Sequence, residues 1–248
     1  MLNIFQTQDF YFFRKPHYVA SAFGKEKSFL DYVFIDNIDL PNKSPTYDDL
    51  DETLLKYINQ QIVDLHIESI QDTQQQQTII NNLKIIFGES QEYGLLNRLD
   101  NDTGGLLYFA KSIEIYDNYK YKQTQNLLTK FYIAQVGGNP FYKTDDKEII
   151  VDYPIMHHKF SEDRMIYIKE PGDIAKGSGK QHIVSTNISL LNFDKDTNIS
   201  TLLVSISKGI RHQIRVHLSS LGCPIIGENI YSNHKTQDFL HLWSIGFK

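Results

Sequence analysis

The sequence predicts an α+β fold, in which a mixed, mostly antiparallel β-sheet is flanked by a few helices. After residue 94, short apolar runs rich in β-branched and aromatic residues alternate with clusters of Gly, Asp, Asn and Pro, which is typical of strands joined by turns. Three other stretches space their apolar residues three or four positions apart, as amphipathic helices do. The 248 residues suffice for a sizeable core, and we expect one domain that spans 1–248.

The first 35 residues are predicted to form short aromatic strands. "DFYFF" (9–13) and "YVFI" (32–35) carry the aromatic and β-branched residues that favour strands. Pro16 cannot donate to a strand ladder, so it should end the first of them. The chain does not open on a basic segment followed by an apolar block, so we expect no signal peptide. No apolar run approaches the roughly 18 residues that span a bilayer, and we expect no membrane association.

Two helices are predicted before residue 90. The stretch 46–70 has an acidic opening followed by apolar residues at helical spacing, with its acids placed where the helix dipole favours them. "QDTQQQQT" (71–78) is interpreted as a linker. "TIINNLKIIF" (78–87) is predicted to be the second helix, ending near Gly88.

The acidic residues of the chain are concentrated in one segment. Ten acids and two lysines fall within 31–72, which gives this segment a charge of −8 and leaves +3 for the rest of a chain whose total is −5. Local charge governs where a polyanion docks, so the acidic total does not exclude nucleic acid. We expect an acidic helical insertion at about 36–90, either a solvated helix on the rim of the domain or an interaction module.

The remainder of the chain is predicted to be mostly strands. These strands are "LLYFA" (106–110), "KFYIAQV" (130–136), "RMIYIKE" (164–170), "TNISLLNF" (186–193) and "STLLVSIS" (200–207). A third helix is predicted over "IRHQIRVHLSSLG" (210–222), with Gly222 as its stop and Pro224 just beyond.

Several kinds of site are excluded by residue spacing. A single cysteine, Cys223, excludes an internal disulfide and a cysteine-cluster metal site, and suits a reducing cytoplasm. "DNDTGG" (100–105) imitates the opening of a calcium loop, but Gly104 and Lys111 stand where an EF-hand needs ligands. The histidines lack paired ligand spacing, and neither phosphate-loop nor dinucleotide-binding glycine patterns occur. We therefore expect no metal and no cofactor.

Residues 94–112 contain the first candidate site. Asp100 and Asp102 lie in a polar, glycine-ended turn, and Arg98 shares a face with Asp100 if the chain is extended there. Asp, Asn, Thr and Gly are common in ordinary turns, so a structural role explains the cluster equally well. A carboxylate beside a guanidinium stays ionised even when partly buried, as a nucleophile or a general base must.

The second candidate lies in residues 208–231. On a helix, Arg211 and Arg215 would share a face, with Lys208 one turn earlier. Such a face could hold phosphates, or it could be solvated charge. On the strand that contains them, Phe131 and Tyr132 point to opposite faces, and either ring could pack in the core or stack on a base.

These stretches together resemble the RluA-type pseudouridine synthases. That family has the motif H-R-L-D-x-x-T-S-G-L-L, which stands here as "NRLDNDTGGLL" (97–107), followed by a Lys-x-Tyr strand matched by "KFY" (130–132). Its later motifs, G-R-T-H-Q-I-R-V-H-L and L-G-x-P-I-x-G-D-x-x-Y, are matched by "GIRHQIRVHL" (209–218) and "LGCPIIGENIY" (221–231). An early Lys-Pro is matched at 15–16. The order is kept over nearly the whole chain.

The resemblance is not complete. Asn97 replaces the family's His, Gly104 its Ser, and Ile210-Arg211 its Arg-Thr. None of these changes removes the Asp, the Tyr or the arginine of HQIR. The small S4 domain that many relatives carry ahead of the catalytic region is not recognised here.

The resemblance implies the pseudouridine synthase catalytic fold and a role for each site residue. Asp100 would be the catalytic carboxylate, which either attacks C1′ of the target uridine or deprotonates C2′. Arg215 would be its ion-pair partner, with Arg211 as the fallback. Tyr132 would lie against the uracil, and Arg98 would contact RNA near the position that the flipped nucleotide vacates. This isomerisation uses neither metal nor cofactor.

The expected function is therefore isomerisation of specific uridines in structured ribosomal or transfer RNA, by a cytoplasmic protein that is a monomer by default. Two alternatives stay open at this point. One is an RNA-binding protein on the same fold whose activity is weak or lost, because Asn97 and Gly104 depart from the motif. The other is a hydrolytic nucleosidase, which would use a similar Asp but release free base.

Overall fold

The computed structural model describes residues 2–36, 68–144, 146–236 and 238–248. The chain divides into two compact units. Unit 1 comprises the residues up to Leu128 together with Trp243–Gly246 and Lys248, and unit 2 comprises Thr129–Leu242 and Phe247. Most of the helix predicted over 46–70 lies outside the described residues. Within the described residues, no helix is both long and apolar enough to cross a membrane.

The regular elements are named here in chain order. The strands are β1 (Ile4–Gln6), β2 (Phe10–Lys15), β3 (Glu68–Ile70), β4 (Gly104–Ala110), β5 (Lys130–Gly137), β6 (Glu148–Val151), β7 (Ile155–His158), β8 (Met165–Tyr167), β9 (Gly177–His182), β10 (Thr186–Asp194), β11 (Ile199–Ile206) and β12 (Leu242–Phe247). The α-helices are α1 (Thr73–Ile86), α2 (Ile113–Thr124) and α3 (Gln213–Ser220). Short 3₁₀ segments cover Glu89–Gly94 and Pro171–Lys176.

Unit 1 is built on the strand order β3-β1-β2-β4-β12. The first three pairings are antiparallel, and β12 runs parallel to β4 with Trp243 opposite Gly104. β2 ends at Lys15, directly before Pro16, as predicted. Buried aromatic rings fill the core, with Phe13 and Phe109 in contact at 4.7 Å between ring centroids.

Helix α1 begins earlier than predicted. The Asp72 carboxylate accepts the Gln75 N–H at 2.7 Å, which is an N-cap stabilising by about 1 kcal/mol, so the glutamine run forms the first turns of the helix rather than a linker. Leu83 and its neighbours on the same face are buried. The helix ends before Gly88, whose φ of 63° needs a glycine, and this confirms the predicted stop.

The strand predicted over 32–35 is wrong. Asp31–Asp36 is a π-helical turn, because the Asp31 carboxylate accepts the Ser28 hydroxyl at 2.7 Å and the Ser28 N–H at 2.8 Å. The apolar residues of the turn are buried all the same, and Phe34 stacks on Tyr93 with ring centroids 4.4 Å apart. Aromatic content is therefore explained here by packing and not by strand formation.

Unit 2 contains a larger antiparallel sheet in the order β5-β11-β10-β6 and a small sheet in the order β8-β7-β9. All of their pairings are antiparallel. Helix α3 packs beside β8, where Val216, Ile155, Met165 and Val184 form a buried cluster. The strands predicted after residue 129 are confirmed, although the one over 164–170 is only three residues long.

Candidate active site

The Asp100 turn of unit 1 is fixed by backbone hydrogen bonds. The Thr103 N–H donates to the Asp100 carbonyl at 3.0 Å, which closes the turn. One residue earlier, the Ser21 hydroxyl both accepts the Leu99 N–H and donates to the Leu99 carbonyl, each at 2.9 Å. Asp100 itself is half-buried. The turn therefore holds this carboxylate on a backbone with little freedom.

Lys15 ties the same turn to the end of β2. Its side chain is buried, and Nζ donates to the carbonyls of Val19 at 2.6 Å, Pro16 at 2.9 Å and Asn101 at 3.2 Å. Three carbonyl acceptors use the full donor capacity of an ammonium group. The contact with Asn101 spans 86 positions in the sequence and fixes the residue next to Asp100.

The charge of Lys15 can change near neutral pH. Burial lowers the pKa of Lys15 from 10.5 to about 7. The negative charges of Asp100 and Asp102 favour the charged form of Lys15 and oppose this shift. Coulomb attraction is mutual, so the ammonium favours the ionised state of Asp100 that chemistry at this residue requires. In the sequence, the matched Lys-Pro at 15–16 is the only signal of this role.

The glycines of the Asp100 motif have steric explanations. A side chain at Gly104 would meet the imidazole of His17, since an ideal Cβ there lies 2.5 Å from Cε1 of that ring. At Gly105, with φ of 106°, a Cβ would lie 2.3 Å from the carbonyl oxygen of Ser244 on β12. The imidazole of His17 thus occupies the space that the side chain of the family's Ser would need at position 104.

The departure at Asn97 is accommodated as well. Its side-chain carbonyl accepts the Tyr108 N–H at 2.8 Å, and its amide donates to the Leu106 carbonyl at 3.2 Å. Asn97 is buried, and both ends of its amide are used on the backbone of β4. The residue supports the strand that leads away from the Asp100 turn.

Arg98 lies on the surface of unit 1. Its side chain is 68% exposed and pairs with the carboxylate of Glu92. An exposed pair of this kind contributes little to stability. The guanidinium of Arg98 is therefore accessible to a polyanion, which could replace Glu92 as its partner.

In unit 2, Tyr132 lies on β5, opposite Val204 of β11. Tyr132 is buried, whereas Phe131, which points to the other face, is half-buried. The predicted strand and the opposite orientation of the two rings are confirmed.

Arg215 is buried on α3 and held by a carboxylate. Its Nε donates to Oε2 of Glu228 at 2.7 Å, and its Nη2 donates to Oε1 at 2.9 Å. Oε1 also accepts the N–H groups of Ile230 at 2.8 Å and Tyr231 at 3.3 Å. Glu228, which stands where the family motif has Asp, thus joins the two C-terminal motifs. Glu228 was not among the site residues predicted from the sequence.

The basic helix face predicted from Lys208, Arg211 and Arg215 is wrong. Helix α3 begins at Gln213, because His212 adopts a left-handed conformation with φ of 56°. Arg215 is buried, whereas Lys208 and Arg211 are exposed and precede the helix.

Arg211 contacts the loop between β7 and β8 instead. Its Nη1 donates to the carbonyl of Glu162 at 2.9 Å, and its Nη2 lies 3.6 Å from Oδ1 of Asp163.

His212 is held neutral by its surroundings. Tyr231 Oη accepts the Met165 N–H at 2.9 Å and lies 2.7 Å from Nδ1 of His212, in a hydrogen bond in which either of these two atoms can be the donor. Burial lowers the pKa of His212 to about 3, and the positive charges of Arg215 and Arg211 act in the same direction. The His212 side chain is therefore uncharged at neutral pH.

The predicted site residues are thus distributed over both units. Asp100 and Arg98 belong to unit 1, and Tyr132, Arg211 and Arg215 belong to unit 2. The two arginines of unit 2 share a motif but differ in environment, one exposed and one buried. The ion pair expected between Asp100 and Arg215 stays a prediction.

Comparison with known proteins decides the family. The family model described as RNA pseudouridylate synthase matches residues 9–220, which include the Asp100 turn and α3. The chain belongs to this family. The resemblance recognised from the motifs is thereby confirmed.

Relatives with assigned names match part of the chain. A ribosomal large subunit pseudouridine synthase D of Nitrosomonas europaea is 34% identical over 138 residues, which are 56% of this chain and 35% of that protein. A ribosomal large subunit pseudouridine synthase C of Rickettsia bellii is 32% identical over 161 residues, 63% of this chain and 48% of that protein. The match thus spans between about a third and a half of these relatives.

Two human structures share the fold. RNA Pseudouridylate Synthase Domain Containing 1 superposes with a TM-score of 0.58 at 16% identity, covering 98% of this chain and 76% of that one. RNA Pseudouridylate Synthase Domain Containing 4 gives 0.56 at 17% identity, covering 98% and 81%. The predicted α+β class is confirmed.

Proposed function

We propose that this protein is an RNA pseudouridine synthase, which isomerises specific uridines in structured RNA to pseudouridine. The observation that carries the proposal is the Asp100 turn, present in the family motif and held by Ser21 and Lys15. A carboxylate on a restrained backbone beside a buried ammonium suits a residue that must be ionised and placed accurately.

The reaction breaks the N1–C1′ bond of uridine, turns the uracil over and joins C5 to C1′. The proton on C5 is lost to solvent and N1 gains one, so atoms and electrons balance without an oxidant or a reductant. Asp100 acts either as a nucleophile at C1′ or as a base at C2′. Both routes require the ionised carboxylate, which the charge of Lys15 favours.

The other site residues have supporting roles. Tyr132 contacts the target base, and Arg215 supports the charge of Asp100. Arg98 and Arg211 bind RNA phosphates, which their exposed side chains favour. Extruding a nucleotide costs a few kcal/mol, which stacking and phosphate contacts must offset.

The names of the relatives favour ribosomal RNA of the large subunit as the substrate, with transfer RNA as the second choice. The single thiol, Cys223, suits the reducing cytoplasm, where we place the reaction.

The test uses unmodified ribosomal and transfer RNA labelled with tritium at C5 of uridine. Because C5 loses its hydrogen only when it forms the new bond, tritium release reports the isomerisation. The protein should release tritium, and Asp100→Ala should abolish release while RNA affinity stays within about tenfold. Asp102→Asn, the matched control in the same turn, should retain most of the activity.

Release that persists in Asp100→Ala would contradict the assignment of this residue. Free uracil among the products would indicate a nucleosidase. RNA binding without release from either pool would indicate an RNA-binding protein that has lost the chemistry.

A further inference from the structure

One aromatic side chain of unit 2 stands almost entirely in solvent. Phe160, in the loop between β7 and β8, is 81% exposed. An exposed ring contributes little to the fold, since apolar surface stabilises only when it leaves water. A single exposed apolar residue is common, so the surroundings of Phe160 decide whether it has a role.

The loop around Phe160 is ordered by its own hydrogen bonds. The His158 N–H donates to the Arg164 carbonyl at 2.9 Å, which closes the loop, and the Phe160 N–H donates to Nδ1 of His158 at 3.1 Å. The ammonium of Lys159 lies 5.5 Å from the centroid of the Phe160 ring. The backbone at Phe160 is thus restrained with the ring beside a cation, so little backbone freedom remains to be lost on binding.

The loop is also attached to residues of the two C-terminal family motifs. Arg211 donates to the carbonyl of Glu162 at 2.9 Å. The guanidinium of Arg164 lies 5.8 Å from the centroid of Tyr231, whose hydroxyl accepts the Met165 N–H. The position of Phe160 is therefore coupled to Arg211, a proposed RNA contact.

Several basic side chains surround His182 of the small sheet that carries this loop. Burial lowers the pKa of His182 on β9, and Lys180, His157 and Lys208 all act in the same direction. Lys180 and Lys208 are exposed. Positive groups that repel one another are stabilised by a polyanion, and the phosphates of RNA are one.

We propose that residues 159–164 form an RNA-binding loop, in which Phe160 stacks on an unpaired base while Lys180 and Lys208 hold neighbouring phosphates. An exposed ring beside cations is the combination that binds single-stranded nucleic acid. A protein partner would need a wider apolar patch than one ring flanked by charged residues. The proposal deepens the proposed function, on which it rests for the identity of the substrate.

Binding of two RNAs to the full chain tests this loop. The probes are single-stranded oligouridylate and a blunt RNA duplex, with dissociation constants measured over a range of salt. Phe160→Ala should weaken binding of the single strand about tenfold, whereas Phe160→Trp should restore it and duplex binding should change little. Lys180→Ala and Lys208→Ala should each lower the salt slope by about one.

Tyr142 provides the matched control. It is 69% exposed, and the ammonium of Lys143 lies 5.0 Å from the centroid of its ring, but it lies outside the small sheet. Tyr142→Ala should leave both affinities unchanged. Thermal unfolding of Phe160→Ala should match the unchanged protein, because Phe160 is exposed.

The outcomes separate this inference from the proposed function. If the protein releases tritium and Phe160→Ala binds the single strand as tightly as the unchanged protein, the proposed role of the loop is wrong and the proposed synthase activity stands. Binding that depends on Phe160 without tritium release from any RNA would support the loop and contradict the synthase. An equal loss of single-strand affinity in Tyr142→Ala would show that exposed aromatic residues bind RNA nonspecifically, which would contradict the proposed role of the loop.

Discussion

Each unit buries a cation within a family motif, Lys15 in unit 1 and Arg215 in unit 2, and these two cations are held in different ways. In unit 1, Lys15 is 1% exposed and donates to three carbonyl oxygens between 2.6 and 3.2 Å away. In unit 2, Arg215 is 2% exposed and is held by both oxygens of the Glu228 carboxylate. One cation is satisfied mainly by dipoles and the other by an opposite charge.

The difference decides which charge can change. Carbonyl dipoles accept hydrogen bonds without cancelling a net charge, so burial lowers the pKa of Lys15 to about 7. A guanidinium keeps its proton in proteins, so burying Arg215 requires a carboxylate close by. Unit 1 therefore contains a titratable cation beside Asp100, and unit 2 a permanent one.

Breaking the pair in unit 2 should have the largest effect. Glu228→Ala removes the bidentate partner of a buried guanidinium, together with the acceptor for Ile230 and Tyr231, and should lower the free energy of unfolding by about 3–5 kcal/mol. Glu228→Asp, which restores the acid of the family motif, should lose much less. Urea unfolding measures both. A loss in Glu228→Ala below about 1 kcal/mol, as for an exposed pair, would contradict the argument.

Replacing the cation of unit 1 should change the pH dependence of stability. Between about pH 7 and pH 10 the unfolded chain keeps a proton on Lys15 that the folded chain releases, so the free energy of unfolding rises with pH. The slope from this group is at most about 1.4 kcal/mol per pH unit. Lys15→Met should remove it. Urea unfolding of both proteins between about pH 7 and pH 9 provides the measurement, and parallel profiles would show that Lys15 does not titrate there.

A smaller effect should follow from restoring the family residue beside Asp100. Gly104→Ser places a Cβ against the ring of His17 and should cost about 1–3 kcal/mol of stability. His17→Ala opens that space, so the double variant should lose less than the sum of the two single ones. Thermal or urea unfolding of all four proteins measures the coupling. Additive losses would show that the two positions are independent.

The sequence predicted the features that depend on neighbours in the chain. Pro16 ended β2, the alternating runs after residue 129 formed strands, and the polar stretch at 100–103 formed a turn. Turn chemistry and strand periodicity are local properties, so one sequence suffices to recognise them.

The features that were missed depend on distant contacts. Lys15 acts through a carbonyl 86 positions away, and Glu228 through a guanidinium 13 positions away. The Asp31 carboxylate accepts the Ser28 N–H, so a helical turn forms where a strand was predicted. The left-handed backbone of His212 places the start of α3 at Gln213, later than predicted. Hydrophobic periodicity contains no information on such partners.

The pairing of β12 with β4 has a consequence for the order of folding. Trp243 and Ser244 lie opposite Gly104 and Gly105, next to the Asp100 turn in the chain, although residues 111–241 separate the two strands in sequence. A ribosome releases those intervening residues first, and domains generally fold as they emerge. Unit 2 therefore has its strands before unit 1 has its last one. The turn that bears Asp100 therefore gains its neighbouring strand only after all of the residues between β4 and β12 have been synthesised.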